Sequence, residues 1–244
     1  MKKILTGIIS LQEGESEIDF EEKFNNWISE NGWIYNDVER LELSNKEFHS
    51  IHGAFLGAAV FHPNYAVHSN NLETNRRYFL RRIWDVNLPI MATFMMNPSS
   101  ADEIVGDSTV DFMMKYAKNN GFGSLLVVNT SPVIKGSKTI ANDFVIDEKN
   151  WFYINHVIDK SDLVVLGWGE NGQKFGMPLL VSNYPVTDLF NKNIEKIRVF
   201  AFGNLTKNRI YPKHPHPQVA NQRFLLDHKL IKVTNFDLDR LLQV

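Results

Sequence analysis

The chain of 244 residues contains no cysteine. Without thiols it has no disulfide, no thiolate nucleophile and no Cys-ligated zinc or iron–sulfur centre, a composition that fits a reducing cytoplasm. It also lacks any apolar run that approaches the roughly 20 residues needed by a membrane-spanning helix. Basic residues are not in excess, because 26 Lys and Arg face 28 Asp and Glu and leave a formal charge of -2. This balance excludes a strongly basic coat for nucleic acid, although a local basic patch stays compatible with it.

The composition is that of an ordinary globular protein, with 43% hydrophobic and 22% charged residues, which excludes bulk disorder. The residue pattern changes near position 75. Over residues 1–75 it is mixed, with an acidic amphipathic helix predicted at 16–31 and a strand predicted at 54–61. We expect these residues to form an α/β extension that packs on a core domain of residues 76–244.

Four short apolar runs mark the core domain, at 90–96, 125–128, 163–166 and 197–202. Each has the length of a strand and is largely apolar, as expected of strands that are covered on both faces. A helix is predicted at 108–120, where Ser108 and Asp111 resemble a capping box and Gly121 is placed to end it. A second helix is predicted at 147–160. Strands that alternate with helices predict a three-layer α/β/α sandwich with a central, mostly parallel sheet.

Polar or turn-forming residues follow every one of the four runs. These segments are 97–100, 129–132, 168–171 and 203–206. In open parallel sheets, ligands bind beyond the carboxyl ends of the strands. We therefore expect a functional site where these segments meet.

Two asparagines at the strand ends are candidate binding groups. A carboxamide offers both a donor and an acceptor, so Asn97 can orient a water or hold the polar edge of a ligand. Asn129 can match the edge of a nucleobase, which also presents a donor beside an acceptor. Pro98 and Ser99 complete the turn after Asn97 and are counted with the site. The alternative for both asparagines is a turn or a loop-closing hydrogen bond, which is common chemistry at such positions.

Two aspartates and one histidine are further candidates. Asp102 and Asp107 can either support the start of the helix at 108 or present a carboxylate to the cleft. His214 lies between Lys213 and Pro215, and a histidine held rigidly at a cleft can donate to a developing anion. The alternative is a proline-stiffened surface turn. The spacing of the histidines completes no metal site, and we expect neither a metal nor a cofactor.

Residues 167–172 spell G-x-G-x-x-G after the third run, a pattern that can hold a pyrophosphate at the start of a helix. That pattern should follow the first strand of its βαβ unit, so a dinucleotide site is the less favoured interpretation here.

Residues 76–217 resemble the bacterial and phage family called domain of unknown function sixteen forty-three. The matching pieces are Arg77–Asp85, Met96–Asp102, Asp107–Thr109, Val128–Asn129, Leu205–Lys207 and Pro212–Pro215. The name of this family assigns no reaction.

A more distant resemblance concerns the order of the strand-end motifs, which is similar to that of the uracil-DNA glycosylase superfamily. Asn97-Pro98-Ser99 looks like its first motif, and the strand that ends in Asn129 looks like the one that reads the pyrimidine. Residues 165–174 resemble its Leu-Trp-Gly strand end, and 213–217 resemble its His-Pro-Ser-Pro loop. The resemblance implies the fold of that superfamily and activity on an N-glycosidic bond.

Under the first hypothesis, the protein cleaves an N-glycosidic bond in DNA or in a nucleotide. His214 would stabilise the departing base anion, Asn97 would place the water, and Asn129 would read the base. The stacking aromatic that the superfamily carries near residues 99–101 is missing, and the pI is about 6.4. Both features favour a nucleotide or a single-stranded nucleic acid over duplex DNA as the partner, and no membrane partner is expected.

Under the second hypothesis, the same cleft binds a nucleotide without cleaving it. Asn129 and the Trp168-Gly169 turn would hold the base, and Lys207 or Lys213 would hold a phosphate. Under a third, the protein is a structural or interaction protein and these motifs are only turns.

Overall fold

An eight-stranded mixed sheet organises the fold. The structure, a computed structural model, describes residues 48–50, 53–65, 71–99, 101, 106–135, 139–217 and 219–243. The sheet strands are β1 (Phe48–Ser50), β2 (Gly53–Phe61), β3 (Arg77–Ile83), β4 (Ile90–Met95), β5 (Ser124–Asn129), β6 (Leu163–Leu166), β7 (Ile197–Val199) and β10 (Ile231–Lys232). Their spatial order is β1-β2-β3-β5-β4-β6-β7-β10, and β8 (Phe202–Asn204) pairs with β9 (Ile210–Pro212) in a separate hairpin.

The centre of the sheet is parallel, as the sequence predicts. β5, β4, β6 and β7 run parallel, with Met91 of β4 opposite Leu125 of β5 on one side and Leu163 of β6 on the other. Antiparallel strands flank this centre, with β3, β2 and β1 beyond β5 and β10 beyond β7. The result is a mixed α/β fold whose central sheet is mostly parallel.

The described residues all belong to one compact unit, Glu42–Val244. The predicted strand at 54–61 is confirmed as β2, and it pairs directly with β3. The predicted helix at 16–31 lies outside the described residues, and the division of the chain at residue 75 stays a prediction.

Helices cover both faces of the sheet. They are α1 (Ser108–Asn119), α2 (Glu148–Lys160), α3 (Gly169–Asn171), α4 (Met177–Asn183), α5 (Val186–Asn193) and α6 (Asn235–Leu242). A π-helical turn, Gly172–Gly176, joins α3 to α4, and short 3-10 turns occur at Ala141–Asp143, Ile194–Lys196 and Ala220–Gln222. Within the described part of the chain, no helix combines the length and apolar character that crossing a membrane requires.

The side chains of each strand alternate between two apolar layers, because successive residues point to opposite faces. On one face, Met91, Leu125 and Val165 share a buried cluster with α1. On the other face, Phe94 makes an edge contact with Phe190 of α5, with 6.3 Å between ring centroids. Phe79 of β3 stacks on Tyr153 of α2 at 5.6 Å. These contacts place α1 on one side of the sheet and α2 and α5 on the other.

The start of α1 differs from its prediction. Asp107, not Ser108, is the N-cap, and its Oδ1 accepts hydrogen bonds from the backbone N–H groups of Thr109 and Val110, both at 2.8 Å. An N-cap residue has extended backbone angles that let its side chain reach the free N–H groups, and Asp107 has φ -113 and ψ 171. The predicted end is confirmed, since the helix stops before Gly121, whose φ is +79.

The fourth apolar run is not one strand. β7 ends at Val199, and Phe202 already belongs to the β8–β9 hairpin. The apolar pattern continues between them because Phe200 is a core residue, in edge contact with Tyr116 of α1 at 4.9 Å. Residues 203–206 therefore lead into a hairpin turn and do not lie at the carboxyl end of a parallel strand.

A buried glutamine ties the end of β6 to the last helix. Trp168 and Gln173 are both fully buried. The indole Nε1–H of Trp168 donates to Gln173 Oε1 at 2.9 Å, and Gln173 Nε2 donates to the carbonyl oxygen of Leu241 at 2.6 Å. The side chain of Gln173 thus satisfies two polar groups that have no access to solvent.

Replacing Gln173 by leucine should lower the free energy of unfolding by about 3 kcal/mol, because two buried polar groups lose their partners. The same replacement at exposed Gln222, whose side chain is at the surface, should change it by less than about 0.5 kcal/mol. Urea unfolding followed by far-UV circular dichroism measures both. Equal stability of the two variants would contradict a structural role for the glutamine.

Candidate functional site

A cavity of about 750 Å³ opens at the carboxyl ends of β4, β5 and β6. Its walls come from these strand ends, from the start of α1 and from the segment around residues 214–217. Seven of the residues predicted for the site line it together: Asn97, Ser99, Asp107, Asn129, Trp168, Gly169 and His214. The chain therefore brings most of the predicted set to one place, because parallel strands end at one edge of the sheet.

Three predicted residues that the structure describes, Pro98, Lys207 and Lys213, are not part of this lining. Pro98 is buried beside Asn97 and does not face the cavity. Lys207 and Lys213 are exposed, at the β8–β9 turn and just after β9, because the chain has left the main sheet at this point. Asp102 lies outside the described residues. The two lysines that were predicted to hold a phosphate are thus outside the lining of this cavity, although Lys213 directly precedes His214 in the chain.

Thirteen residues of the lining were not predicted, and six of them have ionisable or carboxamide side chains. These six are Arg77, Lys135, Glu170, Asn171, His216 and Arg223. His216 belongs to the quoted His-Pro loop, and Arg77 begins the piece that carries the family resemblance, so both had a sequence signal. Lys135 follows Asn129 in the same loop, but this loop lies beside Asn97 only in the folded chain.

Asn129 ends β5 with its side chain in the wall of the cavity. It is 1% exposed, and its backbone carbonyl accepts a hydrogen bond from Asn150 Nδ2 of α2 at 3.0 Å. Its own amide nitrogen is buried and has no hydrogen-bond partner among the described residues. Native proteins pair nearly all such groups, so this amide is a candidate for pairing with a ligand.

Asn97 uses its carboxamide to hold the loop that follows β5. Its Nδ2 donates to the carbonyl oxygens of Lys135 at 2.6 Å and of Pro98 at 3.0 Å. Its Oδ1 accepts from the hydroxyl of Thr139 at 3.1 Å. Both amide hydrogens are thus engaged, and one lone pair of Oδ1 is left for a water or a ligand.

Ser99 and Asp107 form a hydrogen-bonded pair across the cavity wall. The hydroxyl of Ser99 donates to Asp107 Oδ2, while Oδ1 caps α1. Asp107 therefore supports the helix start, which is one of the two roles predicted for it, and its carboxylate also lines the cavity.

Close packing at the end of β6 brings the His-Pro loop against the sheet. A Cβ on Gly167 would come within 2.8 Å of Pro215 Cδ and 3.0 Å of Met95 Sδ, so only glycine fits there. Gly169 has φ +68, and His214 Cβ lies 3.8 Å from where its Cβ would be. Gly167 makes room for the loop that carries His214, and Gly169 allows the positive φ at this turn, so both glycines have a structural role without any dinucleotide.

Trp168 belongs to the wall of the cavity, and its side chain packs into the core. Its ring is fully buried and packs on Phe94 at 5.2 Å and on Phe190 at 6.3 Å. A ring buried in this way presents no open face for stacking on a base.

His214 is held in one protonation and tautomeric state. Burial lowers the pKa of its imidazole to about 4, a stronger effect than the opposing attraction of the Asp107 carboxylate. The backbone N–H of His216 donates to His214 Nδ1 at 3.2 Å. Because Nδ1 accepts, the proton of the neutral ring is on Nε2, which is then a donor.

His216 lies at the rim of the cavity and stacks on Phe112 of α1, with 5.5 Å between centroids and 27° between planes. Burial lowers its pKa, and the charge of Arg223 lowers it further. At neutral pH the two histidines therefore bring hydrogen-bonding capacity and no positive charge. Among the described residues, no group of three or more His, Asp or Glu side chains is arranged to hold a metal ion.

The buried state of His214 predicts a pH dependence of stability. In the unfolded chain its pKa returns to 6.5, so the unfolded state binds more protons between pH 6.5 and about 4. The free energy of unfolding should fall as the pH is lowered through this window and should not depend on His214 above it. In His214→Gln this part of the slope should disappear. An NMR titration in which the His214 Cε1 proton shifts with a midpoint near 6.5 would contradict the expectation.

Comparison with known proteins gives a family and no activity. No curated protein and no solved structure matches the chain. The family model described as "Protein of unknown function (DUF1643)" matches residues 77–216, more than half of the chain, and spans the sheet from β3 to the His-Pro loop. The matched residues include most of those that line the cavity, and the chain belongs to this family.

Proposed function

We propose that the cavity binds a nucleobase or nucleotide and that the protein cleaves its N-glycosidic bond. The observation that carries this proposal is the buried amide nitrogen of Asn129, which lacks a partner among the described residues and lines the same cavity as the neutral ring of His214. The order of the strand-end motifs, which resembles that of the uracil-DNA glycosylase superfamily, supports it.

The polar chemistry of Asn129 suits the edge of a base. A buried N–H without a partner costs about 1–3 kcal/mol, and a ligand carbonyl that accepts from it recovers this free energy. Nucleobases present carbonyl oxygens beside ring N–H groups, which a carboxamide can match with its donor and its acceptor.

The reaction that fits the site is hydrolysis. A water oxygen forms a bond to the sugar C1′ while the C1′–N bond breaks, and the electron pair of that bond leaves with the base as an anion. The water gives up its proton, which ends on solvent or on the released base. His214 can donate its Nε2–H to the anion as the charge develops, a contribution of the kind made by an oxyanion hole. The remaining lone pair of Asn97 Oδ1 can orient the water.

The charges around the cavity favour a small or single-stranded substrate. The carboxylates of Asp107 and Glu170 line it together with the basic groups of Lys135, Arg77 and Arg223. A duplex carries a dense row of phosphates, and proteins that bind it neutralise several of them with basic residues. The mixed charge of this cavity suits a nucleotide or one flexible strand better.

Release of free base tests the reaction. The wild-type protein should release a base from one member of a panel of nucleotides and of single- and double-stranded DNA carrying uracil and other modified bases, read by mass spectrometry. His214→Gln should slow the release about 100- to 1000-fold, the usual loss on removing one such donor. His62→Gln, outside the cavity, is the matched control and should retain the wild-type rate. A rate unchanged in His214→Gln would refute the assigned role.

Substitution of Asn129 separates binding from folding. Asn129→Leu removes a buried amide nitrogen that has no described partner, so the free energy of unfolding should stay equal or rise. Base or nucleotide affinity, measured by calorimetry, should fall at least about tenfold with the loss of one buried hydrogen bond. Strong destabilisation with unchanged affinity would instead indicate a purely structural asparagine.

A second function, binding of a nucleotide without cleavage, is favoured by one observation. Both amide hydrogens of Asn97 hold backbone carbonyls, which limits what this residue can do for a water. Intact nucleotide that stays bound during the base-release assay would identify the protein as a binding module. If no nucleotide is bound or cleaved, a structural or interaction role remains.

A further inference from the structure

The loop after β5 is fastened to the strand end of β4 at Lys135. The backbone N–H of Lys135 donates to the carbonyl of Pro98 at 2.8 Å, and its carbonyl accepts from Asn97 Nδ2 at 2.6 Å. Asn97 also accepts from Thr139, farther along the same loop. The main chain at Lys135 is thus fixed on both sides by the turn that begins with Asn97.

The side chain of Lys135 is fixed as well. Its ammonium lies 3.1 Å from Asp143 Oδ1, and the carboxylate of Asp143 is 2% exposed. Asp143 is itself held, because its Oδ2 accepts from the backbone N–H of Ile140 at 2.8 Å and its carbonyl accepts from Ser131 Oγ at 2.6 Å. The lysine side chain remains 40% exposed and lines the cavity, so its other N–H donors can meet a ligand.

Arg77 supplies a second cation to the cavity. Arg77 is 2% exposed and lines the cavity, and its guanidinium donates to the carbonyl of Ala101. Its backbone N–H donates to the carbonyl of Pro132 at 2.9 Å, which places it beside the loop that carries Lys135. Two basic side chains thus reach the cavity from the strand ends near Asn97 and Asn129.

Two other candidate anion sites are less suitable. The first N–H groups of α1 are capped by Asp107, whose negative charge would also repel an anion. Lys207 and Lys213, the lysines that the sequence suggested for a phosphate, lie outside the cavity.

From this arrangement we infer that Lys135, with Arg77 in the same cavity, binds a phosphate group of a nucleotide whose base is held by Asn129, and that Asn97 is the positioning residue for Lys135. The inference rests on the proposed function, since it takes the base site as given. A lysine held by a buried carboxylate loses little conformational freedom when an anion binds, which favours affinity. The phosphate can belong to a free mononucleotide or to a strand.

The ratio of nucleotide to nucleoside affinity tests the inference. Calorimetry on the full chain should show that the best-binding nucleoside 5′-monophosphate binds about 10- to 100-fold more tightly than its nucleoside, the usual worth of a hydrogen bond to a charged group. In Lys135→Gln this ratio should fall toward one, with the nucleoside affinity within about twofold of wild type. Lys213→Gln is the matched control, and its ratio should equal that of wild type.

The positioning role of Asn97 has its own readout. Asn97→Ala should lower the same ratio, and adding it to Lys135→Gln should lower the ratio no further, because the two residues act on one contact. Additive losses in the double variant would overturn the positioning role. Circular dichroism confirms that each variant is folded.

The outcomes separate this inference from the function it rests on. A wild-type protein that binds nucleoside and nucleotide equally, or a Lys135→Gln variant that keeps the wild-type ratio, overturns the phosphate contact and leaves the base site standing. Failure to bind either ligand overturns both. A parallel titration with a short single-stranded oligonucleotide identifies the source of the phosphate, since only a strand site would favour it over the mononucleotide.

Discussion

The pairing of β4 with its two parallel neighbours is the constraint on which the site depends. It continues beyond the strands, where the N–H groups of Thr130 and Gly167 donate to the carbonyls of Met95 and Phe94, both at 2.9 Å. These bonds carry the register of the sheet into the polar segments that follow. Side chains from distant parts of the sequence, such as those of Asn97 and Asn129, therefore meet without any flexible loop being required to bring them together.

Burial gives the site its electrical character. The loop that carries His214 packs against Gly167, and the resulting burial of the imidazole lowers its pKa and keeps it neutral. Positive charge comes from Arg77, Lys135 and Arg223, which line the same cavity. A cavity that combines the neutral donor of His214 with basic side chains suits a ligand that has an uncharged ring at one end and an anion at the other.

The sequence predicts those strands of the fold that are apolar on both faces, and it predicts the other strands less well. β4, β5 and β6 were recognisable for that reason. β3 was not predicted as a strand because it carries three arginines, of which Arg77 and Arg82 are buried. The candidate site likewise has features that the sequence predicts and features that it does not. Positions at strand ends could be identified from order alone, but the Asn97–Lys135 hydrogen bond joins two loops whose proximity no local pattern contains.

The stacking of His216 on Phe112 has a consequence for the entrance of the cavity. Phe112 also contacts Phe200, which in turn stacks on Phe224 at 5.1 Å, so an unbroken series of rings connects the rim to the layer between α1 and the sheet. A hinge needs a boundary where packing is weak, and the rim has none on this side. Any movement of His216 at this side of the entrance would therefore disturb the packing between α1 and the sheet.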